Sequence, residues 1–295
     1  MTDFTLEQAD VTGTIGALWV FPIKSCAGIS VQQATLLPTG LEWDRAWMVV
    51  DPQGMFVTQR EVPRMALIQP TIDAASGILR VQLQGKEDLE VPLALPQEGT
   101  PQRSVQVWES QVQAWDMGDA AAHWFSHALQ RACRLVRFDP SQKRFSSTKW
   151  TAGIQAPNQF ADGYPLLVTT SAAFDALNGK LQAQGHAGVD GVRFRANIVL
   201  SGLDAHEEDF LETLWVHTPQ PVAIRLGKPC SRCPIPNIDP QTAQSSPEVG
   251  DTIAQYRQDG RLNGAITFGM NAVVAQGEGQ ILHVGQAVGG QLKFD

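Results

Sequence analysis

The chain has 295 residues, 43% of them hydrophobic and 18% charged, enough to bury one large core or two smaller ones. Its formal net charge of −8 argues against non-specific nucleic-acid binding, because a phosphate backbone repels an acidic protein. No stretch approaches the roughly 18 apolar residues of a membrane helix, and Met1–Thr5 has neither the basic nor the apolar region of a secretory signal, so a cytoplasmic protein is expected.

The first half reads as β. Thr12 to Phe21 is apolar and β-branched and stops at Pro22; Ile29 to Leu37 alternates until Pro38-Thr39-Gly40 breaks it. Ala46 to Val50 and Met55 to Gln59 flank Asp51-Pro52-Gln53-Gly54, a tight-turn sequence. Leu67 to Ile72 with Ile78 to Leu83, and Val105 to Trp108 with Val112 to Trp115, give two further hairpins. Short strands at close spacing predict a barrel or sandwich. A helix follows, capped by Asp119, with Ala122, Phe125, Leu129 and Ala132 near one face. Cys133 then precedes the apolar pair Leu135-Val136 and reads as a small buried hydrophobe.

Residues 139–160 are polar, carry Lys143, Arg144 and Lys149, and read as a connection. The second half is mixed. Leu166 to Thr169 is a strand, and Ser171 caps a helix to about Ala183 with Phe174, Leu177 and Leu181 as its apolar stripe. Asn197 to Leu200 and Val222 to Leu226 are strands. Thr252 to Gln258 is a short helix, and Ala265 to Ala275 and Gln280 to Val284 are closing strands. The expected fold class is a β-rich α+β protein in two modules, residues 1–140 and 141–295.

Cys230-Ser231-Arg232-Cys233 is the motif with most chemistry. Two thiols three residues apart with a guanidinium between them suit a soft metal, because sulfur is polarisable and a nearby cation favours thiolate. A lone C-x-x-C is also a redox pair, half a zinc site, or two buried thiols. No second C-x-x-C completes a four-thiolate site. Pro234 and Pro236 place the motif in a loop or at a strand edge rather than at a helix start, against a thioredoxin-like reading. His123 and His127 are four apart but lack a third ligand and read as ordinary helix residues. Arg45, Arg193, Arg195 and Arg232 recur beside turn residues and suggest a local basic cradle in an acidic protein.

Other segments join this motif. Pro22-Ile23-Lys24-Ser25-Cys26, Gly40-Leu41-Glu42-Trp43-Asp44-Arg45-Ala46-Trp47 and Thr58-Gln59-Arg60-Glu61-Val62-Pro63-Arg64 come first; Phe160-Ala161-Asp162-Gly163, Arg195-Ala196-Asn197 and Cys230 to Pro240 follow. In this order, over nearly the whole chain, they resemble the MOSC family, which includes molybdenum-cofactor sulfurases and amidoxime-reducing molybdoenzymes. The resemblance implies an N-terminal β-barrel-like module followed by a MOSC β-barrel domain with flanking helices. It also implies a molybdenum cofactor, molybdenum held on a pterin dithiolene.

On that resemblance Cys233 is the metal ligand and the catalytic residue. Lys24, Ser25, Arg45, Arg195 and Asn197 lie near the cofactor and its phosphate, with Arg193 a less well matched neighbour. Asp162 and Gly163 face the cofactor edge, Ser231 and Arg232 support the ligand turn, and Asn271 is a weaker carry-over. Cys230 is either a supporting thiol or simply packed. Arg presents a planar fork that matches phosphate, and Lys adds a point charge.

The chain departs from the amidoxime-reducing pattern where Ile235-Pro236-Asn237 stands in place of two threonines, and Ala196 in place of a proline. No cysteine follows Cys233, so no iron–sulfur cluster of its own is expected, and electrons must come from a flavin reductase or ferredoxin-type carrier. The expected activity is reduction of a small N-hydroxylated compound. The rival is a carrier of sulfur or cofactor without turnover. Nucleic acid and membrane are not expected partners.

Overall fold

The computed structural model describes residues 6–293. The reading of Met1–Thr5 lies outside them. Seven strands close into a barrel: Leu166–Thr170, Ile198–Ser201, Val11–Val20, Ala287–Leu292, Leu211–Val216, Val222–Ser231 and Ala265–Gln276, which pairs back with Leu166–Thr170. Only the pair Leu166–Thr170 with Ile198–Ser201 among these neighbours is parallel. The wall encloses Ile15, Leu18, Leu200, Leu214, Ile224 and Met270, all fully buried. Val11–Val20 thus stands in sequence with the first module and in space with six strands from the second.

Two barrel strands, Leu211–Val216 and Ala287–Leu292, carry weak sequence signals. The first is interrupted by Glu212 and Thr213, and the second contains Gly289 and Gly290. Gly290 is required there: a Cβ would sit 2.6 Å from Leu211 Cδ2 and 2.8 Å from Val11 Cγ2. The cysteine strand runs five residues beyond its apolar core, through Cys230 to Ser231. Its pairing with Ala265–Gln276 carries several register shifts, the last between Pro229 and Ser231, beside the cysteine motif.

Outside the barrel, Trp47–Val50, Arg134–Phe138, Ser110–Asp116 and Gln102–Val107 form one sheet, and Gln69–Asp73, Ile78–Gln82 and Leu89–Pro92 another. Helix α1, Gly118–Leu129, packs on a core of Trp47, Phe125, Leu79 and Leu135. Cys26 and Cys133 are buried in this core, and burial pushes the Cys26 thiol up to about 12.

Helix ends differ from expectation in four places. Asp119 lies in the first turn of α1 and reaches Arg134, while Asp116 accepts from the Gly118 N–H at 2.9 Å. The α1 helix stops at Leu129, because Gln130 is left-handed, so Ala132 is outside it. Helix α2, Ser171–Ala183, is capped by Thr170 through the Ala173 N–H rather than by Ser171. The third helix, α3, is Glu248–Ala254, four residues earlier than its apolar spacing suggests, and Gln258 begins a short strand.

Candidate functional site

The chain after Val20 turns sharply at the mouth of the barrel. Lys24 N–H donates to Trp47 O at 2.8 Å, which fixes the Lys24-Ser25 turn against the first module. Ser25, Arg45 and Arg195 all hold left-handed backbone, with φ of 68°, 49° and 60°. Each such residue costs on the order of 1–3 kcal/mol, and strain of this kind clusters where side chains must be aimed. All three line one cleft, open to solvent, with a cavity volume of about 130 Å³.

Lys24 forms one wall. It is buried, donates to Phe160 O at 2.8 Å and pairs with Asp162. Burial lowers the Lys24 ammonium against the pull of Asp162. Burial also works to raise the Asp162 carboxyl, but the Lys24 charge and hydrogen bond hold it well below the usual carboxylate range. Trp108 Nε1 donates to the same Asp162 oxygen at 3.0 Å. Behind the loop, buried Arg144 donates to Gln159 O at 2.8 Å, to Ala161 O and to Asp162 O. Sequence reading left Arg144 in a polar connection; only the folded loop shows that it carries the segment holding Asp162 and Gly163.

Arg45, Asn197 and Arg195 form the floor. Arg45 Nη1 donates to Asp44 at 2.6 Å and to Asn197 Oδ1 at 3.1 Å, and Nη2 donates to Arg195 O at 3.0 Å. Asn197 Oδ1 also accepts from Leu167 N–H at 3.1 Å, and its Nδ2 donates to Trp19 O at 3.2 Å. The Asn197 side chain is therefore largely spent on holding the floor together. Arg195 Nη1 donates to Cys26 O at 2.6 Å, and both arginines lie against the Phe21 ring, at 4.5 and 4.3 Å. No carboxylate stands within ion-pair distance of Arg195 among the described residues, and its buried Nη2 has no hydrogen-bond partner. Burial, then the Arg45 charge, lowers the Arg195 guanidinium to about 9.

The far wall is the end of the cysteine strand. Ser231 pairs with Thr267, and Asn271 sits between Leu167 and Lys228 in register. Cys233 lies just past the strand, partly exposed, before the short 3-10 turn Ile235–Asn237. Arg232 Nη1 donates to Cys230 Sγ at 3.1 Å and Nη2 to Phe194 O at 3.0 Å, so this arginine braces the motif. The cleft also brings in Thr58, Arg60, Tyr164, Phe194 and Ile235, which the sequence did not single out as site residues. The Thr58-x-Arg60 segment was visible as a motif, and that signal could have found two of them.

Arg193 stands apart. It pairs with Asp239 at 2.7 Å and lines a second cleft rather than the first. The reason is local: Arg193 lies inside the 3-10 turn Gly191–Phe194, and the left-handed Arg195 that ends this turn is aimed elsewhere. Among the described residues no group of three or more His, Cys, Asp or Glu side chains is placed to hold a metal ion. A metal at Cys233 would have to bring further ligands with it.

Two family descriptions match this chain: the MOSC N-terminal beta barrel domain over residues 12–132, and the MOSC domain over residues 155–289. Mitochondrial amidoxime-reducing component 1 of Mus musculus is 33% identical over 253 residues, 83% of this chain and 72% of the relative. The chain belongs to the MOSC family. Molybdenum cofactor sulfurase of Homo sapiens is 30% identical to this MOSC protein over 279 residues, 90% of the chain but 30% of the relative. The MOSC match at 155–289 takes in the Asp162 loop, the floor residues Arg195 and Asn197, and the cysteine strand; the match at 12–132 takes in Lys24 and Arg45. Among the described residues no helix is long and apolar enough to cross a membrane.

Proposed function

We propose that this MOSC protein binds a molybdenum cofactor in the cleft and reduces N-hydroxylated compounds such as amidoximes, hydroxylamines and N-hydroxylated bases. The observation that supports this is the meeting, in one cleft, of the partly exposed Cys233 thiol with an Arg195 cation that has no ion-pair partner among the described residues. The donor set fits the group. A phosphate matches a guanidinium fork, and a thiolate suits a soft metal.

Lys24, Ser25, Arg45 and Arg195 would hold the phosphate-bearing end. Asp162, Gly163, Ser231, Arg232 and Asn271 would border the pterin, and Cys233 would ligate the metal. When bound, the molybdenum supplies two-electron redox chemistry. The chain's own residues orient and shield. Asn197 keeps Arg45 aimed, Arg144 holds the Asp162 loop closed on Lys24, and Lys24 Nζ keeps a proton at the wall, shared with Asp162. Electrons would come from a separate flavin reductase or ferredoxin-type carrier. Four free thiols support a reducing compartment, the cytoplasm.

The test is metal analysis with a reductase assay. Purified protein should contain molybdenum and reduce benzamidoxime with reduced viologen dye but not with NADH alone. Protein loaded with molybdenum that leaves benzamidoxime and 6-hydroxylaminopurine untouched would reject the reductase reading. It would favour a second one, transfer of sulfur or cofactor, which the 90% coverage by the sulfurase relative supports.

A further inference from the structure

One part of the Cys233 cleft has no task in the proposed function. Thr58 and Arg60 line it from a single segment. Thr58 is 2% exposed, and its buried Oγ1 has no hydrogen-bond partner. Arg60 is partly buried, and among the described residues no carboxylate lies within ion-pair distance of it. Its guanidinium lies over the Trp108 ring, 4.5 Å from the centroid. An arginine laid on an aromatic face keeps its N–H edge for a ligand, because stacking uses the face and hydrogen bonds use the edge.

Trp108 is set to carry this arginine. It opens the two-residue turn between Gln102–Val107 and Ser110–Asp116 with a φ of 53°, at a position that favours glycine or asparagine. Its Nε1 donates to Asp162, which anchors the indole to the same cleft. The other cations lining the cleft are already assigned. Lys24 pairs with Asp162, Arg45 with Asp44, and Arg232 is spent on Cys230 Sγ and Phe194 O. Arg195, with Arg45, meets the phosphate on the proposed function. Arg60 is left over, beside an unspent Thr58 hydroxyl. Resting on the reductase reading, we propose that Arg60, held on Trp108, is a specificity-determining residue that selects N-hydroxylated substrates bearing an anionic group, a carboxylate or a phosphate, apart from the reacting N–O bond.

The experiment compares 4-carboxybenzamidoxime with neutral benzamidoxime on purified, cofactor-loaded protein. Steady-state reduction with reduced viologen dye gives KM and kcat, and calorimetric titration of the oxidised protein gives binding without turnover. Wild type should show a KM and a dissociation constant about fivefold lower for the carboxylate, the upper range for an ion pair open to water, with kcat little changed. Raising salt to about 0.5 M should shrink the difference. Arg60→Gln should abolish the preference, Arg60→Lys should keep part of it because the charge remains, and Arg60→Glu should reverse it. Equal binding of the two compounds by wild type, or an undiminished preference in Arg60→Gln, would overturn the proposal. So would loss of pterin from Arg60→Gln, which would give Arg60 to the cofactor instead. Protein that reduces neither compound would reject the reductase reading, and the calorimetric ratio, read without turnover, would still decide Arg60.

Discussion

Charge is buried in two regions of this molecule, and they are built in opposite senses. At the cleft, Lys24, Arg45 and Arg195 face two carboxylates, Asp44 and Asp162, so positive charge is in excess. On the 3-10 turn Glu207–Phe210, packed against the strands Leu166–Thr170 and Ala265–Gln276, Glu208 and Asp209 are buried with Arg257 as the close cation, so negative charge is in excess. Both Glu208 carboxylate oxygens are buried, and among the described residues no cation pairs with them. Burial raises Glu208 to about 8, with Asp209 adding to it, so this region escapes its charge by keeping a proton. Arginine has no such escape near neutral pH. Excess cation at the cleft is therefore a standing demand for an anion, whereas excess acid at Glu208 is not a demand for a cation.

The largest test of this contrast is Arg45→Ala. It leaves Asp44, 2% exposed, as a buried carboxylate without its ion-pair partner. Breaking such a pair costs about 3–5 kcal/mol. Urea unfolding of the variant should show that loss, and pterin released from it should fall by roughly tenfold at limiting cofactor, the worth of a charge-assisted bond. Wild-type stability in Arg45→Ala would mean the cleft is not held by its charges.

Next comes Glu208→Gln. An acid whose pKa is raised on folding stabilises most below its unfolded value, and that contribution is lost as pH rises toward the folded value. For Glu208 the window runs from about 4.5, the unfolded carboxyl, to about 8. Wild-type stability should thus decline across that window, and Glu208→Gln should flatten the decline. At pH 8 the variant should exceed wild type in stability, because it has no charge to bury and no proton to hold. Denaturant midpoints at pH 5 and pH 8 decide it. A slope in Glu208→Gln as steep as in wild type removes Glu208 as its source.

These two regions were not equally legible in the sequence. Lys24, Arg45 and Cys233 stood in motifs, because turns that aim side chains at a ligand need particular residues in a particular order. Glu208 gave no signal: its burial comes from the packing of its 3-10 turn against the strands Leu166–Thr170 and Ala265–Gln276, far away in the chain. Arg144 was hidden for the same reason, since its partners are backbone carbonyls of any residue type. Arg193 was drawn to Arg195 by nearness in sequence, and the left-handed backbone of Arg195 itself turns the two side chains apart. The barrel strand Ala287–Leu292 escaped because the glycine that lets three strands cross closely also erases strand propensity.

A smaller effect is expected from Trp108→Phe. Trp108 Nε1 is one of several groups that hold Asp162 ionised, and Lys24 remains when it is gone. Losing one hydrogen bond at a partly exposed rim should cost about 1 kcal/mol or less. Guanidinium Arg60 also loses its indole platform, 4.5 Å from its centre. The Asp162 pKa, followed by carboxyl NMR, should rise. No movement would show that Lys24 alone fixes Asp162, making the rim dispensable to the charge excess.

Cys233→Ala should change stability least of all. The thiol is partly exposed past the end of its strand, and among the described residues no hydrogen bond depends on it. Substitutions in such places usually fall within about 0.5 kcal/mol of wild type. On the proposed function, molybdenum content should nonetheless collapse while extractable pterin persists, because the cationic floor is intact. Cys230→Ala should be milder in metal content, since Cys230 is held by Arg232 Nη1 in the bracing contact. The separation of metal from pterin is the sharp outcome. It would show that the floor meets its demand for an anion independently of the thiol. A variant that loses pterin and metal together would mean that the two walls act as one unit, and full molybdenum in Cys233→Ala would move the metal away from this cysteine.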